Sequence, residues 1–402
     1  MKLWTGQTVS QMGSVVTRTA LAIVAVVTLH GTPIQMGILA ASGSVGVLLV
    51  GLFAGALVDR TRRRPLMIVA DVLRAALLAW IPVAALAGSL RIEHLYVVAF
   101  LEALLGSFFD IAYRSYLPSL LPPERLLEGN AKIGMTSAIA EIGGPGSAGG
   151  LVQLITAPLA LLVDAVSYVV SAVSLMLIRT PETIIARVGP PMGLRRELAE
   201  GLATVARQPL LRAMALASAS DALFGNFYYS LYTLYALTTL GLSPFELGIV
   251  VSAGGVGSLV AAFVVGPLTR RLGIGPTIVW TRAGAALLSV LTPLAGGPPL
   301  LAALFLFIPQ LFGDGLHSVS IIDQLTVRQL VTPGRLLGRV NGTLHVLVEG
   351  IGPIGALVGA AIAELFGIRV ALWIAVLGIL AGLSFLVLSP LRTLREAEPA
   401  PV

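Results

Sequence analysis

Apolar residues run along this chain in long blocks, broken by short clusters of Gly, Pro and charged residues. A bilayer core about 30 Å thick needs roughly 20 apolar residues per helix. Blocks of that size predict twelve spans. In the first half they cover 4–29, 34–58, 66–88, 94–118, 131–155 and 158–178. In the second half they cover 210–238, 245–268, 275–296, 299–323, 340–364 and 368–389. Turn signals at Gly31-Thr32-Pro33, Leu121-Pro122-Pro123 and Gly297-Pro298-Pro299 separate them. The first block is too long for a cleavable leader and has no small-residue cleavage site, so it is expected to stay as a span.

The pattern also repeats. Aligning 33–60 with 244–271 at a constant offset of 211 gives identities at Pro33/Pro244, Gly37/Gly248, Ile38/Ile249, Gly43/Gly254, Gly46/Gly257, Leu48/Leu259, Gly55/Gly266 and Arg60/Arg271. A second match sets Glu141, Gly144 and Pro145 against Glu349, Gly352 and Pro353. Six plus six spans in two related halves is the plan of a transporter whose halves rock about a central site. The expected fold is therefore an all-α integral membrane protein, twelve transmembrane helices in two six-helix repeats. Its boundaries are a first bundle over 1–178, a linker over 179–209, a second bundle over 210–389 and a tail over 390–402. Within the linker, 194–207 carries charge at helical spacing with Leu198, Leu202 and Val205 between, which predicts a helix lying on the membrane surface.

Charge sets the orientation. Of 26 Lys and Arg residues, twenty fall on one side of these spans, only Arg91 and Arg369 on the other, and Arg18, Arg74, Arg114 and Arg282 within them. The basic side is cytoplasmic, so both termini are expected in the cytoplasm, with the protein multi-pass in the inner (cytoplasmic) membrane. Twenty-four Arg against two Lys fits a GC-rich prokaryotic genome.

Composition removes other classes. The chain is 56% hydrophobic with mean hydropathy +0.92, a balance that no soluble domain keeps. A pI near 10 would suit nucleic acid, but the basic residues mark span ends rather than one face, and no nucleic-acid partner is expected. With no cysteine and four histidines lacking ligand spacing, neither disulfide nor metal site is expected. There is no nucleotide loop and no nucleophile–base constellation, so neither an enzyme nor a cofactor is expected. The remaining partners are a small-molecule substrate, protons and the bilayer, with the protein a monomer.

Between spans two and three, "GALVDRTRRR" (55–64) places Gly55, Asp59, Arg60, Arg63 and Arg64 in a pattern that resembles motif A of the major facilitator superfamily. The segments at 108–131, 161–172 and 329–342 resemble the subgroup containing the enterobactin exporter and related drug:proton antiporters. The resemblance implies the major facilitator fold and export of drug-like or siderophore-like molecules. It also implies a cytoplasmic gate in which Asp59 sits at a helix N-terminus while Arg60, Arg63 and Arg64 pair with carboxylates or lipid phosphates. Arg62 departs from the motif. The second copy has Arg270 where Asp59 would fall, so the acid is confined to one half. Motif B of many exporters has an Arg four residues before a Gly on span four, where this chain has Glu102 before Gly106.

Charges inside spans cost roughly 2.5–3.5 kcal/mol each on insertion scales, so they are expected to be paired or functional. Asp71/Arg74 and Asp110/Arg114 share helical faces and read as intrahelical charge pairs supporting the gate. Asp164, Asp323 and Arg328 read as structural. Glu102, Glu141, Asp221 and Glu349 have no obvious local partner. A lone carboxylate in an apolar setting exchanges protons near neutral pH, so these four are the proton-coupling candidates, with buried pairing across helices as the alternative. Arg18 could neutralise one of them. On span seven, Phe224, Asn226, Phe227 and Tyr228 suit a mixed cavity for amphipathic molecules, with lipid-interface or packing roles as the alternative, and Arg18 joins them as a cavity candidate. The reading is a secondary transporter exporting amphipathic small molecules by proton antiport. An importer or uniporter of a metabolite, a lipid-translocating protein and a non-transporting membrane protein remain alternatives.

Overall fold

A computed structural model describes residues 2–58, 61–120, 125–178 and 194–395. Among these the chain is helical, with no strand. Among the described residues ten helices are long and apolar enough to cross a membrane. The other two expected spans fall on α5 (Leu126–Ile155) and α8 (Pro209–Leu234), helices of full length whose apolar character is diluted by Gly, Ser and charged residues.

The chain forms two compact units, one of residues 1–190 with 236–252, the other of 191–235 with 253–402. The main division falls within 179–209, the expected linker, while 236–252 also pack into the first unit. Small residues explain this. On α5, a Cβ at Gly149 would overlap the Pro244 carbonyl, one at Gly248 would overlap that of Pro145, and the Gly146 amide donates to Ser252 Oγ at 2.9 Å.

In the first unit, α1 (Lys2–Ile23) packs on α5 and on α6 (Ala157–Met176). Helix α2 (Pro33–Val58) packs on α4 (Ile92–Leu120), and α3 (Arg63–Leu86) on both α4 and α6. In the second, α8 packs on α14 (Gly334–Phe366) and α15 (Ile368–Gly382), and α10 (Ile274–Ser289) on α13 (Asp314–Val331). Helix α7 (Leu194–Arg207), expected at the membrane surface, is docked on α14. Gly201 abuts the Arg339 carbonyl and Thr343 Oγ1, and Glu200 pairs with Arg339 at 2.5 Å.

The repeat is built into the backbone at the same offset of 211. The π-helical turn Val24–Thr28 that ends α1 is matched by Tyr235–Thr239 after α8. Helix α9 (Pro244–Leu272) starts on the image of Pro33. His30 (φ 52°) is matched by Gly241 (φ 67°), and Thr156 (φ 89°, ψ 154°) by Gly367 (φ 93°, ψ 151°). The last pair occupies a region open essentially to glycine alone, which costs another residue on the order of 1–3 kcal/mol. Thr156→Gly should therefore raise stability by about 1 kcal/mol after the extra freedom of the unfolded chain is offset. Thermal unfolding of the purified protein checks this, and an unchanged or lower midpoint contradicts it.

The same register corrects one sequence match. Glu141 lies fourteen residues before Ile155, the last residue of α5, and Glu349 seventeen before Phe366, the last of α14. The Gly-Pro similarity thus pairs residues three apart in structural register, about 4.5 Å along the helix, and Glu141 and Glu349 do not occupy matching places.

Candidate functional site

In the first unit the charged groups converge on Arg74 of α3. Its Nε and Nη2 both donate to Glu102 Oε1 on α4, at 2.9 and 2.6 Å. Tyr168 on α6 donates its hydroxyl to the same oxygen at 2.5 Å. The guanidinium also bonds the Tyr168 oxygen and lies over its ring, 4.0 Å from the centroid. Ser14 of α1 closes the cluster through a 2.9 Å bond with Tyr168. Arg74 and Glu102 side chains are only 9% and 13% exposed. Gly106, one turn beyond Glu102, leaves the flank that this guanidinium fills, since a Cβ there would come within 3.3 Å of Nη2. The Glu102–Gly106 spacing that departs from motif B thus has its arginine on the neighbouring helix.

This corrects the expected pairing of Asp71 with Arg74. Spacing of three puts both on one face, but Arg74 reaches past its own helix to Glu102. Asp71 is fully buried, and among the described residues neither of its oxygens meets a donor in hydrogen-bond geometry; the Ser171 hydroxyl on α6 is its neighbour. Asp164 is held by Thr17 and Ser167, each at 2.6 Å, with Gly13 making room for it. The bond from Thr17 joins α1 to α6. Asp110 and Arg114 are exposed on α4, and no ion pair between them is found.

Glu141 is not alone either. It pairs with Arg18 at 2.8 Å, both side chains more than half exposed, linking α1 and α5. Of the motif A residues, Gly55 lies in α2, while Asp59 and Arg60 lie outside the described residues. Arg63 and Arg64 open α3. Arg64 donates to the carbonyls of Leu175 and Met176 at 2.9 and 2.8 Å, so a cation caps the C-terminal end of α6, where the helix dipole favours it.

The second unit is arranged differently. Asp221 on α8 is ion-paired with Arg282 on α10, and Arg282 also bonds His317 Nδ1 on α13. Glu349 is half-buried on α14, with His345 one turn away on the same helix. Asp323 accepts from Thr269 at 2.8 Å, and Arg328 donates to Asn341 at 3.1 Å. A cavity of about 140 Å³ opens between α8, α10 and α13. Tyr228 lines it, its hydroxyl bonded to Thr292 Oγ1 at 2.6 Å.

The other aromatic candidates turn away from this cavity. Phe224 fills the notch left by Gly378 on α15, and Phe227 the notch left by Gly359 on α14. Asn226 donates to the Ala222 carbonyl at 2.7 Å and lies against Gly352. All three lie against glycines of α14 or α15, which admit close approach of those helices to α8. Asp314, Gln310, His317 and Tyr229 line the cavity instead and were not singled out from sequence. One signal was available: Gly313 is the repeat image of Glu102, so a slip of one residue separates the two acids.

The two units define the class: a duplicated, polytopic helical membrane protein carrying acid–base pairs among its helices. The chain belongs to the Major Facilitator Superfamily, whose family model matches residues 3–353. Members of that family and the structural neighbours are transporters, not enzymes. The chain is 27% identical to the multidrug efflux pump Tap of Mycolicibacterium fortuitum, over 85% of this chain and 83% of that one. It is 26% identical to the MFS-type transporter YfiS of Bacillus subtilis (92% and 88% covered) and 21% to the macrolide efflux protein A of Streptococcus pyogenes (91% and 90%). A crystal structure of the nucleoside transporter NupG superposes with a TM-score of 0.73 at 12% identity, covering 96% of this chain and 98% of that one. At that identity the likeness speaks for the fold.

Proposed function

We propose that this transporter exports amphipathic small molecules across the cytoplasmic membrane in exchange for protons, with both termini in the cytoplasm. The observation that carries the reading is the Arg74–Glu102–Tyr168 cluster. An ion pair among membrane-spanning helices is costly to keep, and a carboxylate whose partner is shared with a hydroxyl on a third helix can gain or lose a proton as those helices shift. The efflux pumps among the relatives support the direction and the substrate class. Energy then comes from the proton gradient, in keeping with a chain that has no nucleotide-binding loop.

The test is transport by the purified protein in liposomes. With an imposed pH gradient, a macrolide should accumulate against its own gradient and lose that accumulation on addition of a protonophore. Equilibration without accumulation, unaffected by the protonophore, would indicate a uniporter, and absence of counterflow a non-transporting protein. The gate reading has its own check. Asp59→Asn should abolish transport while leaving the amount of protein in the membrane unchanged; wild-type transport by that variant removes Asp59 from the mechanism.

A further inference from the structure

Asp314 stands out when the two units are compared at their common register. Its neighbour Gly313 is the image of Glu102, so each fourth span carries an acid at nearly the same height. In the first unit Arg74 neutralises that acid. The image of Arg74 is Ala285, and the second unit's arginine, Arg282, comes three residues earlier, about 4.5 Å along α10. That shift commits it to Asp221 and His317. His317 is itself the image of Gly106, so the flank left open for a guanidinium in one unit holds an imidazole in the other.

Asp314 is left without a partner: among the described residues it forms neither an ion pair nor a hydrogen bond. A guanidinium can only donate, so His317 Nδ1 must accept, leaving a single ring proton on Nε2 and no charge. The cavity therefore holds two carboxylates against one fixed cation. Its aromatic wall is Tyr228 and Tyr229, whose rings meet edge to face with centroids 5.8 Å apart.

We propose that this cavity is a subsite for the ammonium end of an amphiphilic cation, with Asp314 as counter-ion and the two tyrosines as the surface over which the charged end packs. The proposal rests on the efflux reading and names the substrate class within it. A carboxylate lacking a donor beside a second acid gains most from a ligand that brings positive charge, and aromatic faces add to that preference. Size limits what enters. A cavity of about 150 Å³ accommodates one benzene-sized group, so at about 140 Å³ only the charged end of a larger molecule is seated. An anion would add to the excess negative charge, and a neutral isostere would leave it standing.

Phenyltrimethylammonium and its uncharged isostere tert-butylbenzene test this on the full-length protein in nanodiscs, by equilibrium dialysis. The wild type should bind the cation, and bind it at least about ten-fold more tightly than the isostere. Asp314→Asn should lose that preference, Asp314→Glu should keep it, and Tyr229→Leu should weaken cation binding several-fold. Equal binding of cation and isostere by the wild type, or undiminished cation binding by folded Asp314→Asn, overturns the proposal. If Asp314→Asn does not fold, the wild-type preference together with the Tyr229→Leu result decides. Cation binding without gradient-driven transport would sink the efflux reading and spare the subsite; efflux of macrolide with no cation preference would do the reverse.

Discussion

Arg74→Met should cost the folded protein about 3–5 kcal/mol, a large part of a stability that is on the order of 5–15 kcal/mol for a folded domain. The substitution keeps the volume and apolar stem of Arg74 but strands Glu102, whose second oxygen already lacks a donor. It also leaves Asp71 and Asp164 buried in the same layer. Tyr168 loses both the guanidinium over its ring and the bond to its hydroxyl. The measurable outcome is a lower unfolding midpoint in detergent and much less protein in the membrane. The double variant Arg74→Met/Glu102→Met separates structure from mechanism. Replacing both members of a buried pair by apolar residues is often neutral for stability, so folding should largely return. Proton-driven transport should not, because the exchangeable carboxylate is gone. Full transport by the double variant would remove the cluster from the coupling mechanism and leave it a packing device. A single variant as stable as the wild type would mean that Glu102 is not held as an ion.

The spans and the duplication were legible in the sequence because both depend on local quantities. Block length sets the spans, and the Gly and Pro identities between 33–60 and 244–271 set the register that the backbone then follows at Thr156 and Gly367. Partners across helices were not legible. Spacing puts Asp71 on the same face as Arg74, but only the packing of α3 against α4 decides that Glu102 is nearer. The aromatics of α8 share one periodicity, yet whether a ring meets a cavity or a glycine notch is decided by Gly359 and Gly378, more than a hundred residues away. Glu141 and Glu349 looked equivalent because a short Gly-Pro similarity carries no information about where a helix ends. Asp314 was hidden by the opposite problem, a true structural counterpart displaced by one position.

The second large effect is expected at Gly257. A Cβ there would overlap the carbonyl of Leu311, with the Gly315 amide 3.1 Å away. Both are backbone, so no side chain can swing aside and the helices themselves must separate. Its image Gly46 meets the carbonyl of Phe100 and, at 3.1 Å, the amide of Leu104. The same three backbone positions recur at an offset of 211, so close contact of the second and fourth spans is the shared geometry of the repeat. Without a hydrophobic drive between helices in lipid, such contact is what holds them together. Overpacking typically costs 1–3 kcal/mol even where side chains can adjust; against backbone, Gly257→Val should cost more than about 3 kcal/mol and prevent accumulation of folded protein. Separation would also displace Asp314, which lies one residue before Gly315 and against Gly254 of α9. Gly257→Ala, with a single methyl, should therefore weaken phenyltrimethylammonium binding in whatever protein does fold. Gly43→Ala is the control: no heavy atom lies within 4 Å of the Cβ it would add, so its stability should match or slightly exceed that of the wild type. If Gly257→Val accumulates and unfolds like Gly43→Ala, the second and fourth spans of that unit are not in backbone contact, and the shared register on which Asp314 was recognised loses its structural basis.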